Sequence, residues 1–242
     1  MKKVILLLSI LLSVAGSFTA AAQSQFSGWV ASFNTFKTGK RTSLHTDIQW
    51  RSTHEITHTQ TLLVRAGLNV SLRKDLTATA GYAFISNRRT VSGITEYVPE
   101  HRAWEQLLYT HKLGALFASH RFRVEQRFLA KRKVTGSTLQ PDGTAYANRF
   151  RYFIRNILPL KQQPVFREGW FAALQNEVFL SFGNTAAVNG KTFDQNRLYV
   201  AFGYRVHPSF DIEAGYLNQY INGSGSSFTN NHAAQVAGYL RL

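Results

Sequence analysis

Cysteine is absent from this 242-residue chain, methionine occurs once and proline five times. The first absence excludes a disulfide framework, which a chain of this size can do without in any compartment. After residue 22 no stretch gathers the ~20 consecutive apolar residues that a membrane-spanning helix needs, so that class is excluded too. Acids are also scarce: 13 Asp and Glu stand against 28 Lys and Arg, a formal net charge of +15. In a soluble protein such an excess suggests a nucleic-acid partner.

The N-terminus points elsewhere. Residues 1–22, MKKVILLLSILLSVAGSFTAAA, combine Lys2 and Lys3, an apolar run from Val4 to Val14, and small residues at Ala20, Ala21 and Ala22. This is the layout of a secretory signal peptide cleaved near Gln23, with an apolar core too short to span a bilayer. The expected organisation is a signal peptide over 1–22 and one domain over 23–242, with 26 basic and 13 acidic residues remaining. Export argues against nucleic acid, and the charges are placed for another use.

What the chain has in quantity is alternation. In SHRFRVEQRFLAKR (119–132), Phe122, Val124, Phe128 and Ala130 fall on one face of an extended strand, and Arg121, Arg123, Glu125, Arg127 and Lys131 on the other. A helix would smear these charges around its whole surface, whereas a strand separates them. The same period runs through Leu62–Leu72, where Arg65 alternates with apolar residues, and through Leu76–Phe84. Phe150, Tyr152 and Ile154 oppose Arg149, Arg151 and Arg155; Leu174 and Val178 oppose Gln175 and Glu177; Leu198 and Val200 oppose Arg197. Segments of about ten residues with this pattern are the signature of a transmembrane barrel.

Short turns are expected at Arg73–Asp75, Phe117–Ser119 and His207–Phe210, and long polar loops at Ser86–Glu100, Lys133–Ala147, Asn184–Thr192 and Asn222–Asn230. Taking 26–36 and 42–51 as the first two, eleven segments can be drawn, although bacterial single-chain barrels have even strand numbers. The fold class is therefore all-β: a transmembrane antiparallel β-barrel of about 10–12 strands, preceded by a cleaved signal peptide. A soluble sandwich or lipocalin-like barrel also alternates, but would keep its charged face wet. Here large aromatics sit near strand ends on the apolar face, as interfacial girdles do.

Several strings in this frame resemble the bacterial outer-membrane barrels grouped as domain-of-unknown-function family 2490. They are Trp29, Gly81-Tyr82, Glu100-His-Arg102-Ala-Trp104-Glu105-Gln106, Arg121-Phe-Arg123-Val-Glu125-Gln126-Arg127, Arg149-Phe-Arg151-Tyr152, Asn176-Glu177, Gln195-Asn196-Arg197 and Gly215-Tyr-Leu-Asn-Gln219. The resemblance implies a fold and a bacterial outer-membrane location, and brings no activity or catalytic residues. The chain departs from the aromatic last residue of many outer-membrane proteins by ending in Leu242.

One motif carries explicit chemistry. His54-Glu-Ile-Thr-His58 has the H-E-x-x-H form of zinc peptidases, which works only on a helix, where residues four apart share a face. On an extended chain the two imidazoles stand roughly 13 Å apart. Thr53, Ile56, Thr57, Thr59 and Thr61 are β-branched and no apolar helical face is present, so the motif reads as a loop and no metal or other cofactor is expected.

The strongest constellation is the charged face of the strands: Arg121, Arg123, Glu125, Arg127, Arg149, Arg151, Arg155, Glu177 and Arg197. These are expected to line the lumen, with Glu125 near Arg155 and Arg151 near Glu177, filling most of the interior and satisfying one another. Ten to twelve strands leave little further room, so a wide pore is not expected. The expected role is non-enzymatic: a structural or accessory barrel, or a narrow channel for anions and small solutes. Two alternatives stay open: a lipid hydrolase or acyltransferase using Ser227 with His232 or Ser119 with His120, and a subunit of a larger outer-membrane complex. The expected partners are outer-membrane lipid and lipopolysaccharide, the barrel-assembly machinery during biogenesis, and anionic small solutes.

Overall fold

The computed structural model describes residues 23–242 apart from 162 and 164. The signal peptide expected over 1–22 lies outside the described residues. Eleven strands follow in order: β1 (Gln23–Lys37), β2 (Thr42–Ser52), β3 (Thr59–Ser71), β4 (Leu76–Val91), β5 (Ile94–Leu113), β6 (Leu116–Thr135), β7 (Thr138–Pro159), β8 (Gly169–Phe182), β9 (Phe193–His207), β10 (Phe210–Asn222) and β11 (Phe228–Arg241). Each pairs antiparallel with the next, and β1 pairs with β11 to close the barrel.

Closure explains the odd strand count. With eleven strands in simple alternation the first and last must point the same way, and β1 and β11 pair in parallel from Gln23↔Thr229 to Thr35↔Arg241. One end of the barrel holds Leu242, whose carbonyl accepts the Lys37 N–H at 2.6 Å. The first described residue, Gln23, is at the opposite end.

Two of the expected long loops are corrected to strand. Within 86–100, β4 and β5 continue pairing to Val91↔Ile94 and are joined by Ser92 and Gly93. Within 133–147, β6 and β7 pair to Thr135↔Thr138, joined at Gly136 and Ser137. Gly136 takes φ 61°, a left-handed conformation that glycine adopts at little cost. The expected turn at Phe117–Ser119 lies instead within β6, the reversal being at Gly114 and Ala115. Turns at 72–75 and 208–209 and loops at 183–192 and 223–227 are close to expectation.

Apolar residues coat the outside: Val30, Ile48, Leu68, Phe122, Leu174, Val200, Phe202, Ile212 and Val236 are all exposed. Aromatic groups stand near both ends, Trp170 against Tyr204 at 5.1 Å on the short-turn side and Tyr220 against Phe193 and Phe228 on the other. Buried Arg, Asp and Glu occupy the interior. This inversion of the soluble pattern fits strands whose outer face meets hydrocarbon.

Candidate functional site: an arginine-rich lumen

The two-residue period of β6 turns Arg121, Arg123, Glu125 and Arg127 inward, and the tight turn at Gly136 fixes what they meet. Glu125 lies opposite Arg149, and Arg123 opposite Arg151. Like charges facing each other across a ladder are destabilising unless a counter-charge intervenes. Glu125 supplies it, with oxygens 2.7 Å from Arg149, 2.5 Å from Arg151, 3.4 Å from Arg102 and 3.8 Å from Arg123.

The pairs extend into one network. Glu100 takes Arg102 at 2.7 Å and Arg127 at 2.6 Å, and Glu177 takes Arg121 and Arg151, each at 2.7 Å. Asp194 meets Arg149 at 3.0 Å. A second group joins Arg155 to Glu213, whose carboxylate also accepts from the Tyr239 hydroxyl at 2.7 Å, and Asp47 holds Arg65 at 2.9 Å. Aromatic rings fill the spaces between guanidinium groups. Phe179 lies under Arg149, Arg151 and Arg197 at 4.5–5.0 Å, and Trp104 under Arg123 at 4.5 Å. Such stacking offsets part of the cost of burying like charges.

All nine residues singled out in the sequence face the lumen or lie buried in its wall. Arg151 meets Glu177 as expected. The expected contact between Glu125 and Arg155 does not form. Placing the hairpin apex at the centre of 133–147 pairs 125 with 155, whereas the true apex at Gly136 and Ser137 pairs Arg155 with Ser119 and sends its side chain to Glu213. Sequence reasoning missed Asp47, Arg51, Glu100, Arg102, Asp194 and Glu213 as members. For Asp47 a signal was available, since its neighbour Ile48 is plainly apolar and the alternation turns Asp47 inward.

A cavity of about 1070 Å³ runs beside the ion-pair network. Its wall includes Thr53 and Arg88 at one end of the barrel and Ser71 and Arg241 at the other. Phe166, between β7 and β8, is buried against Phe117 and Phe171, and its carbonyl accepts from Arg205 at 2.8 Å. Arg205 also grips Asp211 through two bonds of 2.7 and 2.9 Å.

The other chemical candidates separate. His54–Ile56 is a single 3₁₀ turn with Glu55 and Ile56 at φ 55° and 59°, which no α-helix contains. His54 Nδ1 accepts the Phe26 N–H at 3.0 Å. The helical face that the zinc-peptidase motif requires is not formed. Ser119 lines the lumen while His120 bonds Tyr152 at 2.9 Å and His111 at 3.0 Å outside it, so neighbours on one strand face opposite ways. Ser227 donates to the Ser224 carbonyl in its own loop, and His232 pairs with Tyr216. Among the described residues no three His, Asp or Glu side chains converge as a metal-binding group.

A sequence model of the family described as "Protein of unknown function (DUF2490)" matches residues 26–230. The chain belongs to this family. The strings from Trp29 to Gly215-Tyr-Leu-Asn-Gln219 that suggested the resemblance all fall within the match. No curated protein matches this DUF2490 chain. Among solved structures it is similar to one described as "NanC porin structure in rhombohedral crystal form", at 11% identity and a TM-score of 0.49, covering 89% of this chain and 98% of that one.

Proposed function

We propose that this DUF2490 barrel resides in the bacterial outer membrane and passes small anions through a narrow arginine-lined lumen, without catalysis. The observation that carries this reading is the cavity bordered by residues of both barrel ends, in a wall where arginine outnumbers carboxylate. Guanidinium groups left without an acid attract carboxylates and phosphates, while the ion-pair network narrows the remaining space. The apolar outer face and the signal-peptide layout of residues 1–22 support the location. The separation of Ser119 from His120, and of Ser227 from His232, supports a non-enzymatic role over the lipid hydrolase.

Planar-bilayer recording under a KCl gradient tests the proposal. Discrete current steps are expected, with a reversal potential on the chloride side. Persistent silence, or a reversal potential on the potassium side, overturns it.

A second reading, a barrel subunit of a larger complex, is favoured by one feature of the outer face. Glu105 points outward, halfway along β5 between the outward-facing His101 and Tyr109, and accepts from Gln126 at 3.1 Å. A carboxylate facing hydrocarbon is costly, and a partner offering hydrogen-bond donors would relieve it. Co-purification lost in Glu105→Leu would favour this reading, and a monomeric barrel would count against it.

A further inference from the structure

Every arginine of the main network has a carboxylate within 4 Å, whereas Arg51 and Arg197 have none among the described residues. The undescribed residues 1–22, 162 and 164 contain no Asp or Glu that would change this. Each of the two has a single neutral acceptor from its own strand. Arg51 donates to Gln49 Oε1 at 2.6 Å, and Arg197 to Gln195 Oε1 at 3.1 Å. The Nε atoms of both are buried and have no hydrogen-bond partner among the described residues. Arg197 is only 9% exposed, yet both side chains border the cavity.

The two guanidinium groups are held near each other by one ring. Arg51 lies 4.2 Å and Arg197 5.2 Å from the Trp29 centroid. Cation–π contact with a shared indole offsets part of their repulsion, but an aromatic face supplies no hydrogen-bond acceptor. A guanidinium carries five N–H donors in a fixed fork, so most of those on Arg51 and Arg197 lack an acceptor among the described residues. Two guanidinium groups without a carboxylate partner, Arg197 buried and Arg51 half-buried, thus share one aromatic ring at the cavity wall.

We infer that Arg51 and Arg197, braced by Trp29, form an oxyanion-binding subsite in the lumen that takes a carboxylate or phosphate group from a passing solute. Access of the ligand rests on the anion-passage reading above. The planar fork favours bidentate capture of two oxygens over a point-like chloride. This makes the subsite a selectivity element as well as a source of positive potential.

The test is equilibrium binding to the full barrel folded in detergent. Tryptophan emission is followed while sodium acetate, or separately inorganic phosphate, replaces NaCl at constant ionic strength. A saturable change is expected with at least one of the two, and the better ligand identifies the oxyanion class. The R51Q/R197Q double variant is expected to raise the half-saturation concentration at least tenfold. Because that variant removes two charges from the lumen wall, Arg197→Lys serves as a milder probe: it keeps the charge, loses the fork, and should weaken oxyanion binding several-fold with heat-modifiable gel migration intact. No saturable response in the native barrel, or equal responses in native and Arg197→Lys barrels, overturns the subsite. The two proposals fail separately: saturable binding without current keeps the subsite and loses the passage, whereas anion current without saturable binding does the reverse.

Discussion

Four guanidinium groups, those of Arg102, Arg123, Arg149 and Arg151, come within 3.8 Å of the Glu125 carboxylate. Replacing that carboxylate with an amide of nearly the same shape removes the counter-charge and leaves the guanidinium groups crowded. Glu125→Gln should therefore destabilise the barrel by about 3–5 kcal/mol, the usual cost of removing one member of a buried ion pair. Glu55→Gln, at an exposed site in the 54–58 turn, should stay within ~0.5 kcal/mol. The check is the urea concentration at which the folded band disappears from unheated gels, and an equal midpoint for both variants would refute the ranking. The inward direction of Glu125 was legible in SHRFRVEQRFLAKR because it depends only on local alternation. Its partners were not, because they depend on where the hairpin reverses. A few residues of error in the apex exchanged Arg149 for Arg155.

At the scale of elements, β3, β4 and β5 are held together by a ring lying on glycine. Trp104 on β5 is almost fully buried and lies across Gly67 on β3 and Gly81 on β4. A Cβ built at Gly67 would meet two Trp104 ring atoms at 2.7 Å. Gly67→Ala should thus cost about 1–3 kcal/mol by overpacking. In a Trp104→Phe background most of that penalty should vanish, since the two sites share one contact and are not additive. Equal penalties in both backgrounds, by the same urea assay, would show that the ring is not the obstacle. The sequence marked Gly81-Tyr82 as a familiar string without showing what the glycine accommodates, because that contact joins residues far apart in the chain. The hairpin extensions of β4–β5 and β6–β7 escaped for a different reason. Polar residues such as Arg88, Arg89, Thr90, Thr95, Lys133, Thr135, Thr138 and Gln140 dominate them, so the apolar alternation that announces a membrane strand fades while backbone pairing continues.

The whole molecule depends on its seam. Consecutive antiparallel hairpins were legible from alternation and turn residues, but closure is a property of the complete set of strands, and an odd number dictates a parallel β1–β11 pair. Parallel pairing is slightly weaker per residue than antiparallel. Here it extends over most of β1, with Phe33 and Tyr239 stacked across it at 5.0 Å. Because the chain has no native cysteine, the seam can be probed without background. Val30 and Val236 are register partners and both are exposed on the outer face. Adjacent strands lie about 4.8 Å apart, within the range a disulfide bridges. Val30→Cys with Val236→Cys should therefore cross-link under mild oxidation, giving a reductant-sensitive shift of the boiled, unfolded band. Leu240 is the partner of Asn34, so Val30→Cys with Leu240→Cys places the thiols four residues out of register, roughly 13 Å apart, and should not cross-link. If the second pair closes as readily as the first, the seam slides or pairs otherwise. The lumen wall, in which Trp29 of β1 braces Arg51 and Arg197, would then need a different register to hold its anion site.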